Sequence, residues 1–529
     1  MGSHYNAFIV VALVTLCVFA IARPVFTQWM SPRDFANRRN AWLAITAAAF
    51  LLPDFWLFVV VSGVIILIAG QRDSNPAALY LLLLLVVPPI KADLPTFGIV
   101  KTLFSLQNFR LLSIALLIPV AVRLMNAGRH QGSGNGEAPG PRLQTPDVLL
   151  IAFLALQLML FMRYESGTNS LRRGVLMLLD VWLPYYVVSR SVRSRQMIVE
   201  TMSALVLAAL VLASLAAFET AKGWLLYGGL GDDWHIPNTL SLRRSGFLRA
   251  VVTGGHSIVL GYFFAVALGM WLFLQRQLSR PLARLGFGVL TIGLAATFSR
   301  GPWLGAVIVV FAYLALGPSA LRRTLRGISL LSLVGAMALA TPLGDKILSA
   351  MPFVGHIGAE TVSYREHLFR VSLDVIQLNP IFGSPNFLMQ MEELRTGEGI
   401  IDLVNAYLAF ALAFGLVGLG LFVGFMTLTL LRGWRLVRDQ SIDPDFAALG
   451  ASLLACLCGI LVMLATASNY LSIPYVYLAV AGLIAAYCRE GARASIGIVE
   501  RESIRGVVAA SGLKARSKLR PHDGSQLPT

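Results

Sequence analysis

Arg300 interrupts a long apolar run, in Thr297-Phe298-Ser299-Arg300-Gly301-Pro302-Trp303-Leu304-Gly305. An arginine near a membrane core is costly and is usually paired or functional, and the small residues beside it let the backbone approach a ligand. The plain alternative is an arginine snorkelling to the lipid headgroups. A second basic group, Arg243-Arg244-Ser245-Gly246-Phe247-Leu248-Arg249, leads to Gly254-Gly255-His256, where the next apolar run begins. Guanidinium groups entering a helix start make an anion site, because the free N–H groups there add to their charge. His256 has no metal-ligand partner at a recognised spacing, so its plain reading is a structural hydrogen-bonding residue. A third group is Tyr364-Arg365-Glu366-His367-Leu368-Phe369-Arg370. Helical spacing pairs Glu366 with Arg370 and Arg370 with Asp374, which leaves Arg365 freer for a ligand. Leu368, Val371, Val375 and Leu378 share the apolar face of that helix. Glu392, Glu393, Glu398 and Asp402 follow, and then Asn405, a polar group at a bilayer edge that needs a partner.

The elements that position these residues are membrane helices. Of 529 residues, 57% are apolar and 13% charged, about half the charge of an ordinary soluble chain. This excludes a disordered chain, a nucleic-acid-binding domain and a typical cytosolic enzyme. A span needs about 20 mostly apolar residues, fewer where the bilayer thins. That rule marks spans near 6–22, 39–52, 55–70, 76–90, 108–125, 146–162, 174–189, 199–218, 256–275, 284–299, 302–317, 327–341, 404–431, 446–467 and 471–488. The expected fold is all-α, a polytopic membrane bundle of about 13–15 transmembrane helices with one long periplasmic loop containing short helices. The first apolar run, Ala7 to Ile21, lacks a basic leader and a small-residue cleavage site, and reads as a span.

The net charge is +16, which in a membrane protein reflects cytoplasmic anchoring rather than a nucleic-acid partner. Placing the C-terminus inside puts most of the 43 Lys and Arg in the short loops and tail of one side, as the positive-inside rule requires. The expected division is residues 1–341, transmembrane helices with a Gly/Pro-rich cytoplasmic linker at 126–145; 342–403, a large periplasmic loop; 404–488, the last transmembrane helices; and 489–529, a basic cytoplasmic tail. Two segments on the other side, 219–255 and 341–403, carry the basic residues that anchoring does not explain. Cys17, Cys456, Cys458 and Cys488 lie in apolar runs and suggest neither disulfides nor zinc.

Thr297 to Gly305, the Arg365-x-x-Leu368-Phe369 helix start, Asn379-Pro380-Ile381-Phe382-Gly383, and Asn405-x-Tyr407-Leu408 leading to Gly415-Leu416-Val417-Gly418-Leu419 resemble the O-antigen ligase/polymerase (WaaL/Wzy-type) superfamily. Arg243 to Gly261 resembles that group's upstream Arg-x-x-Gly-Phe and Gly-His elements. The resemblance implies a multi-pass glycosyltransferase of the bacterial inner membrane, working on its periplasmic face. Its donor would be a glycan on undecaprenyl pyrophosphate, and it would need no cofactor and no metal. Flippase and chain-length or export proteins are the implied partners. Ligases of the family carry His-Asn at the end of the long loop; here Val404 precedes Asn405. That departure favours a polymerase of exopolysaccharide, capsule or O-antigen, with a ligase acting on lipid A-core as the alternative.

Chemistry assigns the roles. The pyrophosphate leaving group gains negative charge as the glycosidic bond breaks, and fixed guanidinium groups stabilise that state above the ground state. Arg243, Arg244 and Arg300 would meet this charge, with Arg365 close by; the catalytic expectations are Arg300, Arg244, Arg365, His256 and Glu366. The acceptor hydroxyl needs a base, for which His256, Glu366, Glu392 and Asp402 are all open. Substrate-binding expectations fall on Arg243, Arg249, Ser299, Asn405, Tyr407 and Asp402. A flippase or exporter is the rival class. It would place its substrate at mid-membrane on broken, repeated helices, whereas Asp180 is the one clear mid-span carboxylate of this sequence and no repeat is visible.

Overall fold

The computed structural model describes residues 2–52, 54–95, 102–131, 143–230, 243–244, 246–317, 325, 329, 359–395 and 401–493. The chain is an all-α membrane helix bundle, and among the described residues eight helices are long and apolar enough to cross a bilayer. Most of the expected span 327–341, parts of the linker and long loop, and the tail from 494 lie outside the described residues.

Two helices form the centre. Arg195–Lys222 and Ser257–Leu274 are apolar on nearly every face and buried on nearly every face, as a helix surrounded by other helices must be. The first helix, Gly2–Phe26, instead exposes Ile9, Leu13, Leu16 and Ile21. An exposed apolar stripe of this kind suits a lipid-facing helix. Thr145–Tyr164 packs along Ala406–Val437, and Pro444–Leu464 packs against both Ser257–Leu274 and Arg300–Leu316.

Several expected spans take a different form. The fourth is only the eight-residue helix Pro76–Leu83. The chain then runs on as turn and coil through Pro88-Pro89, where a missing N–H and the pre-proline restriction stop a helix. It continues into an antiparallel hairpin, Lys91–Pro95 with Thr102–Gln107. The seventh contains a π-helical turn, Leu178–Trp182, which carries Asp180. Arg110 grips that carboxylate through Nε and Nη2, the latter at 2.8 Å. The mid-span carboxylate that a transporter would use is thus held in an ion pair.

The long loop is fastened to the bundle at a broken helix. Ala406–Val437 departs from helical geometry at Gly415, with φ 66 and ψ −172. There Leu416 N–H donates to Pro380 O at 2.9 Å, and Ser384 N–H donates to Leu412 O at 2.9 Å. Leu412 O and Leu416 N–H are the two groups an unbroken helix would have paired with each other. Asn379 to Ser384 therefore completes the hydrogen bonding of the break. Above it lies Ala359–Leu378, whose Leu368, Val371 and Val375 are buried with Leu412, while Leu378 is exposed.

Candidate active site

The basic groups separated in sequence meet at the end of the bundle that carries the long loop. Arg243–Arg244 pairs antiparallel with Phe247–Leu248 in a minimal hairpin. Successive strand residues face opposite sides. Arg244 turns inward, and its Nη1 donates to Phe298 O at 2.9 Å. Arg243 instead lines a cavity of about 670 Å³ together with Lys222, Phe247, Phe298 and Trp303.

Arg249 is tied to the same turn. Its Nε donates to Thr297 O at 3.2 Å and its Nη2 to Ser299 Oγ at 3.0 Å. Ser299, fully buried, is the N-cap residue of Arg300–Leu316, so Arg300 opens that helix. The positive end of the helix dipole adds to the guanidinium charge at this point. Phe298 holds φ +46, a costly conformation for an aromatic residue. Its ring is stacked on Phe247, with centroids 5.6 Å apart and 9° between planes.

The cations repel one another. Desolvation lowers the Arg244 pKa, and the charges of Arg300 and Arg365 lower it further. Burial and Arg244 bring Arg249 down to about 10. Arg365 is lowered by desolvation and by Arg300, with Asp402 offsetting part of this. Four guanidinium groups thus form one basin whose bonds to the protein, where Arg244 and Arg249 are concerned, run to carbonyl and hydroxyl oxygens. An anion entering it would relieve the repulsion.

His256 is the N-cap of Ser257–Leu274, and its Nδ1 accepts from Ile258 N–H at 3.1 Å. Burial and Arg249 push its pKa down to about 4. The ring is therefore neutral near pH 7, and its one proton sits on Nε2, since Nδ1 is an acceptor. Such a ring offers a hydrogen-bond donor rather than a base. Tyr470 packs edge-on against it at 5.8 Å.

Asp402 is the acidic member of the basin. It is exposed, accepts from Ser468 Oγ at 2.7 Å, and acts electrostatically on Arg365, His256 and Tyr470. The other candidate bases are engaged elsewhere. Glu366 is exposed and pairs with Arg370 at 2.6 Å; Glu392 is exposed and pairs with Arg395 at 2.6 Å. Asn405 finds the partner its position requires by capping Ala406–Val437, accepting from Tyr407 N–H at 2.9 Å and Leu408 N–H at 3.2 Å. Tyr407 donates its hydroxyl to Leu461 O at 2.7 Å. That bond ties Ala406–Val437 to Pro444–Leu464.

The structure brings together Arg244, Arg249, His256, Ser299, Arg300, Arg365 and Asp402. It leaves Arg243 in the cavity beside Phe247 and Phe298 and Glu366 on solvent. Sequence reasoning passed over Tyr470 and Ser468, which stand in the short turn between the last two helices. Their only signal was a polar triplet, Ser468-Asn469-Tyr470, between two apolar runs. It also passed over Glu219, whose carboxylate lies near the C-terminal end of Arg195–Lys222.

Together these features describe a multi-pass membrane protein with a basin of four arginines, one carboxylate and one imidazole at one end of the bundle. Residues 285–423 match the family model described as O-antigen ligase. This match supports the O-antigen ligase/polymerase superfamily and its general activity. The matched stretch contains Ser299, Arg300, Arg365, Asp402, Asn405 and Tyr407; Arg244, Arg249 and His256 come from upstream of it. No curated protein matches the chain.

Proposed function

We propose that the chain is a glycosyltransferase of the bacterial inner membrane that polymerises undecaprenyl-pyrophosphate-linked repeat units on the periplasmic face. The observation that carries this reading is the basin of Arg244, Arg249, Arg300 and Arg365, whose mutual repulsion favours a multiply charged anion. The pyrophosphate becomes more negative as the anomeric carbon–oxygen bond breaks, so fixed cations lower the barrier. Asp402 takes the proton of the attacking sugar hydroxyl, and the His256 Nε2–H donates a hydrogen bond to an oxygen of donor or acceptor. With one base and direct attack, the anomeric configuration inverts. The carrier lipid lies in the bilayer beside the basin. The reaction takes its charge stabilisation from the four arginines and draws on neither a metal nor a cofactor. Flippase and chain-length or export proteins would supply the donor and remove the product.

The ligase alternative is favoured by the description of the matched family, and the polymerase by Val404 standing before Asn405. A gene deletion separates them. Loss of long chains with accumulation of one lipid-linked unit is expected for the polymerase. Loss of O-antigen from lipid A-core would establish the ligase instead, and accumulation on the cytoplasmic leaflet would overturn both in favour of a flippase.

A further inference from the structure

Glu219 is fully buried near the end of Arg195–Lys222. Its Oε1 accepts from Leu226 N–H at 2.9 Å, and its Oε2 accepts from Val251 N–H at 3.0 Å and Val252 N–H at 2.9 Å. A buried carboxylate is tolerated when such donors satisfy its lone pairs. Val252 holds φ +46, which is strained for a β-branched residue and persists only where its surroundings over-determine it. Two successive N–H groups aimed at one oxygen supply that constraint. The segment so held begins at Arg249, which reaches Thr297 and Ser299, and ends at His256. Between them Ala250 N–H donates to Ala296 O at 3.0 Å, and Thr253 Oγ1 donates to Leu85 O.

We propose that Glu219 is a positioning residue for the anion basin: by fixing the backbone of 251–252 it sets where Arg249 and His256 stand relative to Arg300. This rests on the pyrophosphate reading of the basin given above. The chemistry requires a carboxylate. A glutamine can present its oxygen to Val251 and Val252 or to Leu226, but its NH2 must then oppose a backbone N–H on the other side.

The test uses purified full-length protein in detergent and undecaprenyl pyrophosphate as the probe, with binding affinity and melting temperature measured side by side. Glu219→Gln is expected to weaken binding roughly tenfold, the effect of one misaligned charged contact. Arg249→Lys is expected to weaken it at least as much. The double variant should lose clearly less than the product of the two single losses, because Glu219 acts in part through Arg249, and residues acting through one another are non-additive. Glu219→Asp, which keeps the charge, should recover part of the loss. Additive losses, or unchanged affinity with a lower melting temperature, would overturn the proposal by making Glu219 a stability element only. Failure of both Glu219 variants to give monodisperse protein would overturn it in the same way. If the wild-type chain itself does not bind the probe, the pyrophosphate reading fails instead.

Discussion

Gly383 and Gly415 meet backbone to backbone: a Cβ on Gly383 would stand 2.5 Å from the Gly415 amide nitrogen. Both have positive φ, +63 and +66, which only glycine adopts cheaply. A methyl group at either position would therefore strain the backbone and push the loop off the broken helix. Gly383→Ala and Gly415→Ala are each expected to leave the bundle assembled and lower polymer made per folded protein by about tenfold or more, since about 1–3 kcal/mol of strain is introduced at the loop anchor. Protease sensitivity of the loop, compared between variants in membranes, checks the cause. Normal sensitivity with normal polymer would show that the loop does not depend on this junction.

Arg244 and Arg300 should be needed for turnover rather than for folding. Lysine keeps the charge but loses the planar fork. Removing one preorganised donor of this kind costs about 10²–10³ in rate. Arg300→Lys and Arg244→Lys are expected to fall in that range while keeping wild-type levels in the membrane. Polymerisation at the normal rate by both would remove the pyrophosphate from the basin.

Much of this site was legible because its signals are local. Arg365 stands apart from acidic residues at helical spacing, and the ion pair of Glu366 with Arg370 appears where i+4 spacing puts it. Asn405 announced a missing partner and caps a helix. What could not be read depends on contacts distant in sequence. Nothing near Glu219 in the chain says that Val251 and Val252 will aim at it, and nothing near Tyr470 names His256. The break at Gly415 was hidden as well, because the apolar run continues through it and the groups that complete it come from Pro380 and Ser384. Arg243 and Arg244 look equivalent in the sequence; in the structure Arg244 donates to Phe298 O while Arg243 lines the neighbouring cavity.

The basin should face the periplasm. A cysteine replacing exposed Gln377 on the loop helix is expected to react with an impermeant maleimide in intact spheroplasts. One replacing Ser511 in the basic tail is expected to stay unlabelled until the membrane is opened. The opposite pattern would invert the topology and remove access to a periplasmic substrate.

His256 should give the protein a measurable pH dependence. Its folded pKa, about 4, lies below the ordinary value of 6.5. Between the two, the unfolded chain binds a proton that the folded chain refuses, so stability is full above pH 6.5 and is lost as pH falls toward 4. The slope approaches about 1.4 kcal/mol per pH unit within that window. His256→Asn preserves an acceptor for the Ile258 N–H and removes the titration. Melting temperatures at pH 7.5 and pH 5 should differ more for wild type than for the variant. Equal differences would mean that the ring is charged in the folded state.

Arg365 should matter more than Arg370, although both are exposed on one loop helix. Their partners separate them. Arg370 Nη2 lies 2.6 Å from Glu366 Oε1, both side chains well exposed to solvent, and such an i,i+4 pair contributes only a few tenths of a kcal/mol. Arg365 instead acts on Arg244 and feels Arg300 and Asp402. Removing Arg370 should cost little stability and leave most activity. Removing Arg365 takes a cation from the place where charge develops in the transition state, a loss of about 2–4 kcal/mol, or roughly 10²–10³ in rate. Polymer made per folded protein, measured for Arg365→Ala and Arg370→Ala in matched membranes, checks both expectations. Equal activity in the two variants, or a worse defect at Arg370, would take the loop helix out of the active site.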